Sequence, residues 1–275
     1  MGSIGNLICL HPRDSYLIDS PMPVKGFLSS LERRTGPFLR SPGIGFPYLV
    51  GFFRKNGVIP DSTRIVVQHD QIEGVTPFQN IIDAKVDLSR GDCDVLFITA
   101  YTNSVREAYR RAREAREAYR SIGRPLTVVL GGAHASAVPT EGTRFGHVDA
   151  VVAGEGEWAA SELLTDIQEG REVRPLYRAA FNRIRDKNSL AIDMGIWREL
   201  RPTPQQIISS TTFARGCKLD CSFCAVKLTN GETVRNRDYS DVVKEIRNQG
   251  VPFDRESISG APASFFTHVL KKLVR

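Results

Sequence analysis

The residues best equipped for chemistry are Cys217, Cys221 and Cys224, in the stretch Arg215-Gly216-Cys217-Lys218-Leu219-Asp220-Cys221-Ser222-Phe223-Cys224. Iron–sulfur clusters are held by cysteine thiolates, ordinarily four for a complete cubane. Three thiolates on one short loop can hold three irons and leave the fourth open to a ligand from outside. Other chemistries use the loop less completely. A zinc site takes four ligands, and the sole histidine downstream is His268. A redox pair made of Cys221 and Cys224 leaves Cys217 without a role. Burial as small hydrophobes is the remaining alternative. Cys9 and Cys93 read as ordinary structural residues. An odd total of five cysteines, clustered rather than spread, argues against a secreted disulfide framework and for a reducing, cytoplasmic setting.

A second set of candidates sits on two glycine-rich stretches upstream. Leu126–Leu130 is a buried-strand pattern that runs into Gly131-Gly132-Ala133-His134. Asp149–Ala153 is another, and runs into Gly154-Glu155-Gly156-Glu157. Glycine permits close backbone approach to a ligand, and His134 is the obvious polar contact beside the pair. Glu155 and Glu157 either touch a ligand or favour the first turn of the next helix. His69 and Asp70 close an earlier strand pattern.

The elements that would position these residues follow from periodicity. Asn6–Leu10, Ile65–Gln68 and Asp94–Thr99 read as further strands, and apolar runs such as the last suit a parallel sheet buried on both faces. Helices are expected from Tyr48 to Lys55, Phe78 to Asp87, Asn103 to Ser121 and Trp158 to Gln168. The arginines of the third helix, interspersed with Glu107, Glu114 and Glu117, read as a solvated face. The alternation predicts an α/β fold with a doubly wound, Rossmann-like parallel sheet, whose ligands sit beyond the carboxyl ends of the strands. Residues 171–205 lose the pattern and read as a linker. Ile207–Phe213 is a strand candidate leading into the cysteine loop, and Tyr239–Gln249 a helix.

The cysteine loop resembles the CxxxCxxC motif of the radical S-adenosylmethionine superfamily, including the aromatic Phe223 before the last cysteine. The resemblance implies that Cys217, Cys221 and Cys224 bind a 4Fe–4S cluster whose open iron is chelated by S-adenosylmethionine. It implies reductive cleavage of that nucleoside to a 5′-deoxyadenosyl radical, and it places Phe223 beside the cofactor. The order of elements from about Leu7 to Ile167 is similar to the cobalamin-binding-like domain fused ahead of the partial (β/α) barrel in one subgroup of that superfamily. By that likeness cobalamin sits at the strand ends, against Gly131, Gly132, His134, Gly154 and Glu155. The Asp-x-His-x-x-Gly signature of an axial histidine is out of phase here, where Gln68-His69-Asp70-Gln71-Ile72-Glu73-Gly74 stands. The resemblance further implies a small-molecule substrate, methylated or rearranged at an unreactive carbon, and an electron donor such as a flavodoxin or ferredoxin.

Three units are therefore expected: a cobalamin-binding-like domain at 1–170, a linker at 171–205, and the N-terminal part of a radical domain at 206–275. At roughly 30 residues per βα unit a six-unit barrel needs on the order of 180 residues. The residues after Ile207 give room for about two such units. Val251–Arg275 shows no clear buried strand and suggests a short basic amphipathic helix. The chain is thus expected to be a truncated member, its alternative role a non-catalytic cobalamin- or partner-binding module. With 37 basic and 31 acidic residues the charge is only +6 over 275 residues and is scattered, which gives no nucleic-acid footprint. No apolar run approaches the roughly 20 residues of a membrane span.

Overall fold

Alternating burial organises the described residues up to Arg178. In a computed structural model, which describes residues 2–13, 45–70, 73–144, 147–178, 196, 211–249 and 258–259, successive side chains of each early strand go to opposite faces. Leu7 and Cys9 enter one core and Ile8 and Leu10 the other. This is the pattern of a sheet covered on both sides.

The strands and helices alternate: β1 (Ile4–His11), α1 (Gly45–Lys55), β2 (Arg64–His69), α2 (Phe78–Lys85), β3 (Cys93–Thr99), α3 (Val105–Ser121) and β4 (Leu126–Gly131). Two short helices follow, α4 (Ala133–Ala137) and α5 (Glu141–Arg144), then β5 (Ala150–Ala153), α6 (Gly156–Gln168) and β6 (Leu176–Arg178). All six strands are parallel, in the order β2-β1-β3-β4-β5-β6. One core packs Phe52 and Phe53 of α1 and Leu163 and Leu164 of α6 against the sheet. The other packs Phe78 and Ile81 of α2 and Ala108, Ala112 and Tyr119 of α3. The doubly wound expectation is met. The linker expected from residue 171 starts later, because Leu176–Arg178 pairs with Val151–Ala153 as the sixth strand. A three-residue strand whose burial runs exposed, buried, exposed carries too little pattern to be read in advance.

The sheet is fastened at its amino-terminal edge by Asp94, which is fully buried. It accepts hydrogen bonds from the Asn6 backbone N–H at 2.9 Å, the Tyr119 hydroxyl at 2.9 Å and the Arg124 guanidinium at 2.8 Å. The opposite edge, where the strands end, is left open for function.

The described residues of the second unit are β7 (Thr211–Thr212), β8 (Ala214–Arg215), α7 (Val226–Asn230), β9 (Arg235–Asn236), α8 (Tyr239–Gln249) and β10 (Ile258–Ser259). The strand expected over Ile207–Phe213 is seen as Thr211–Thr212, its earlier residues lying outside the described set. β8 and β9 form an antiparallel ribbon. β7 and β10 pair in parallel across α8, a βαβ arrangement. β10 falls in the stretch where no clear buried strand was expected, and its two residues are too short to register as an apolar run. The amphipathic helix expected near the C-terminus lies outside the described residues.

Candidate functional site

Beyond the carboxyl ends of β1 to β5 lies a cleft of about 1270 Å³. The chain order explains its place. β2 lies on one side of β1 and β3 on the other, so the connections leave in opposite directions and a crevice opens between them. The floor carries His11, His69, Phe97 and Ile98, the walls carry Gly131, Gly132 and Gly154, and Thr212, Arg215 and Cys217 of the second unit come over it.

Gly132 has φ +97, and a Cβ there would sit 2.7 Å from the Ala100 carbonyl oxygen. Its glycine is thus required by packing onto the end of β3, and only secondarily by any ligand. Ser136 joins the two glycine loops. Its hydroxyl donates to the Gly132 carbonyl at 2.9 Å and accepts from the Gly154 N–H at 2.9 Å. Nothing in the sequence singled out Ser136, which sits on a helix of five residues.

The two carboxylates after β5 are committed to arginines. Glu155 accepts from Arg235 at 2.5 and 2.9 Å, and Glu157 accepts from Arg215 at 2.6 Å. Arg215 also lies 3.7 Å from Glu155. Burial opposes the Arg215 charge, but the Glu157 carboxylate followed by Glu155 outweighs it and holds the guanidinium above its ordinary range. Burial likewise works against the Glu157 anion, and Arg215 more than compensates, leaving it below the usual carboxylate range. Glu155 lines the cleft as expected, yet its carboxylate serves this clasp.

Tyr48 of α1 joins the same seam. Its hydroxyl donates to Glu245 at 2.5 Å and accepts from the Thr212 N–H at 3.0 Å and from Arg237 at 3.1 Å. Arg237 is held in turn by Glu245 at 2.7 Å. The guanidinium carbons of Arg215 and Arg237 each lie 5.9 Å from the centroid of the Tyr48 ring, within cation–π range. Burial and then the Glu245 charge push the phenol up to about 12, so it stays a donor. The spacing of Tyr48, Arg215, Arg235, Arg237 and Glu245 in sequence gives no hint of this network.

The cysteine loop begins at that seam. Gly216, with φ +85, lets the chain pass where a Cβ would meet the Thr233 carbonyl oxygen at 2.1 Å. The Cys217 N–H then donates to the Gly231 carbonyl at 3.1 Å. Cys217 is half-buried and lines the cleft, whereas Cys221 and Cys224 are exposed. A turn brings the Cys224 N–H to the Cys221 carbonyl at 3.1 Å. Among the described residues no three His, Cys, Asp or Glu side chains converge as a metal site. None of the five cysteines is in a disulfide. The donor set suits a cluster, being soft sulfur ligands on one surface loop with no disulfide to consume them, and such sites are rarely formed before the metal arrives.

Two expected contacts lie elsewhere. Phe223 is 91% exposed, pointing off the loop. His134 is buried outside the cleft lining, with Nδ1 3.3 Å from the Thr102 hydroxyl and Nε2 3.6 Å from Glu141. It forms part of the first turn of α4, which turns its ring away from the strand ends. Cys9 is fully buried, in keeping with a structural role.

A model of the B12-binding domain matches residues 40–164, the span that builds most of the cleft. Residues 40–164 thus match a B12-binding domain, and the CxxxCxxC loop lies beside the cleft they build. The chain is 25% identical over 235 residues to an uncharacterized methyltransferase of Pyrococcus horikoshii, covering 79% of this chain and 47% of the relative. It is 28% identical to the anaerobic magnesium-protoporphyrin IX monomethyl ester cyclase of Rubrivivax gelatinosus, over 72% of this chain and 37% of that protein. The chain thus spans about half the length, or less, of the curated relatives it matches. Its fold is similar to that of the methyltransferase TsrM from Kitasatospora setae, solved with cobalamin and a [4Fe-4S] cluster. The TM-score is 0.60 at 15% identity, over 99% of this chain and 51% of that one. The cobalamin-dependent enzyme OxsB superposes with a TM-score of 0.62 at 12% identity, over 90% of this chain and 32% of that one. Among the described residues no helix is long and apolar enough to cross a membrane.

Proposed function

We propose that this chain binds cobalamin in the cleft over β1–β5 and a 4Fe–4S cluster on Cys217, Cys221 and Cys224, with S-adenosylmethionine at the remaining iron. When bound, these groups supply one-electron cleavage of the nucleoside and radical methylation or rearrangement of an unreactive carbon in a small-molecule substrate. The observation that carries this reading is the Arg215–Glu157 pair. It ties the residue two positions before Cys217 to the first turn of α6, so the cluster loop starts over the cleft.

The protein's own contribution is placement and shelter. Gly131, Gly132 and Gly154 present backbone rather than side chains to the cofactor. Phe97, Ile98 and Leu49 give it a dry floor. By its place in the motif Phe223 is proposed to meet the nucleoside once the cluster is held, its ring lying in solvent in this structure, while His134 is left to support α4. We further propose a cobalamin-binding unit that runs through β6, a connecting segment, and the first βα unit of a radical domain from residue 206. The cluster would take its electron from a donor of the flavodoxin or ferredoxin kind, and five cysteines outside any disulfide fit a cytoplasmic setting.

The test is anaerobic reconstitution with iron and sulfide followed by hydroxocobalamin and gel filtration. Cobalamin absorbance co-eluting with the protein, together with a dithionite-reduced cubane resonance that shifts on adding S-adenosylmethionine, is expected. A protein that elutes free of cobalamin and shows no such shift would refute the reading.

A further inference from the structure

Two side chains on the cleft floor have no role in the clasp or the cysteine loop. His11 and His69 are register partners at the carboxyl ends of β1 and β2. Paired residues on neighbouring parallel strands project to the same side, about 4.7–4.9 Å apart. The imidazoles accordingly stack, with centroids 4.7 Å apart and planes 17° from parallel. Phe46 meets His11 edge-on at 4.7 Å and helps fix that ring.

The surroundings suit a nitrogen donor. His69 is only 6% exposed, and its Nδ1 is buried without a hydrogen-bond partner. Leaving a buried polar atom unmet is costly. The acids nearby are occupied. Asp70 is taken up by Arg111 and Gln68, and Glu73 by Lys85 and the His69 backbone N–H. Neutral imidazole is the form that binds a transition metal, and both rings line the cleft. His11 is the more exposed of the two and His69 the ring behind it.

We propose that His11, backed by His69, donates a ring nitrogen to the metal of the corrinoid held in this cleft. The proposal rests on the cobalamin reading above. It differs from the Asp-x-His-x-x-Gly arrangement, whose histidine is out of phase here, by drawing the donor from a stacked pair at two strand ends.

The deciding experiment uses electron paramagnetic resonance of the cobalt(II) form bound to the full chain, prepared with natural-abundance or ¹⁵N-labelled histidine. A protein ¹⁴N ligand splits each cobalt line into three, and ¹⁵N splits it into two. Triplets that become doublets on labelling, and vanish in His11→Phe while cobalamin absorbance still co-elutes, are expected. Triplets indifferent to the label would assign the donor to the cofactor's own base and overturn the proposal, as would lines without nitrogen splitting or splitting that survives His11→Phe. Labelling of the unaltered protein decides the origin of the donor even where His11→Phe does not fold. Failure of cobalamin to co-elute with the unaltered protein would instead remove the underlying reading, and this proposal with it.

Discussion

Glu157 on α6 and Arg215 on β8 meet at 2.6 Å across 58 residues of chain, with side chains only 5% and 13% exposed. The pair joins the cofactor-binding sheet to the strand that leads into the cysteine loop. Breaking a buried pair by removing one partner typically costs about 3–5 kcal/mol, because the other charge is left uncompensated. Glu157→Ala is therefore expected to destabilise the seam by that order and to raise hydrogen exchange across 211–236, with the exchange of β1, β3 and β4 little changed. Equal exchange in that ribbon for the variant and the parent would show that the clasp does not hold it.

Tyr48→Phe removes one hydroxyl and leaves Arg237, Glu245 and the Thr212 N–H each short of a partner. A loss of about 1–3 kcal/mol is expected, read as a lower urea midpoint at unchanged slope. A midpoint within error of the parent would mean that water replaces the hydroxyl.

Gly132→Ala should be costly without any ligand present. The left-handed φ and the 2.7 Å approach to the Ala100 carbonyl both oppose a Cβ, and strain of this kind is of order 1–3 kcal/mol. For a chain of this size each kcal/mol lowers Tm by roughly 2–4 °C. Thermal denaturation of the cofactor-free protein tests this, and an unchanged Tm would return Gly132 to a purely ligand-facing role.

The buried histidine gives a pH dependence of defined sign. His69 titrates at about 4 in the folded chain against 6.5 when free, so the unfolded chain binds the extra proton between those values. The stability it confers is full above pH 6.5 and is lost as pH falls toward 4, by about 3 kcal/mol at 1.36 kcal/mol per unit. Asp70 works the other way. Burial, against the pull of Arg111, raises its carboxyl from 3.8 to about 6, so protonation on acidification favours the folded state. His11, also held well below the ordinary range by burial and then by His69, adds to the acid-side fall, while Asp70 offsets part of it. His69→Phe should therefore reduce the acid-side fall, measured by urea unfolding at pH 7.5 and 5. A variant as acid-sensitive as the parent would contradict this.

Single Cys217→Ser, Cys221→Ser and Cys224→Ser changes are expected to lose most of the reconstituted iron and sulfide. The two exposed positions should do so within about 0.5 kcal/mol of the parent's apo stability, as surface substitutions do. Iron and sulfide content beside apo unfolding curves separates ligation from folding, and full iron retention in any one variant would remove that residue from the ligand set.

Five of the six strands of the sheet were legible because they are largely apolar runs of four to eight residues, and its helices because they carry one apolar face. Val105–Ser121 and Gly156–Gln168 lie within two residues of their expected bounds. The cysteines were legible from spacing alone, and the glycine loops from their position after strands. Glu155 was legible as a cleft residue but not as an ion-pair partner, since Arg235 is 80 residues away in sequence. His11 was passed over because a histidine at the end of an apolar run looks like a boundary. Only the register of β1 against β2 brings it to His69. Phe223 illustrates the converse, a residue picked out by motif whose ring the fold leaves in water.

The floor of the cleft is complete once residue 178 is in place, whereas the clasp over it needs Arg215 and Arg235. During synthesis from the amino terminus the sheet can therefore mature with its crevice uncovered, and the covering ribbon arrives only as its later residues emerge. A bulky flat cofactor would meet the widest entrance during that interval. Loading of the nascent or freshly refolded chain is set to be faster than exchange into the finished one, with the arginine clasp acting as the kinetic barrier to both entry and escape.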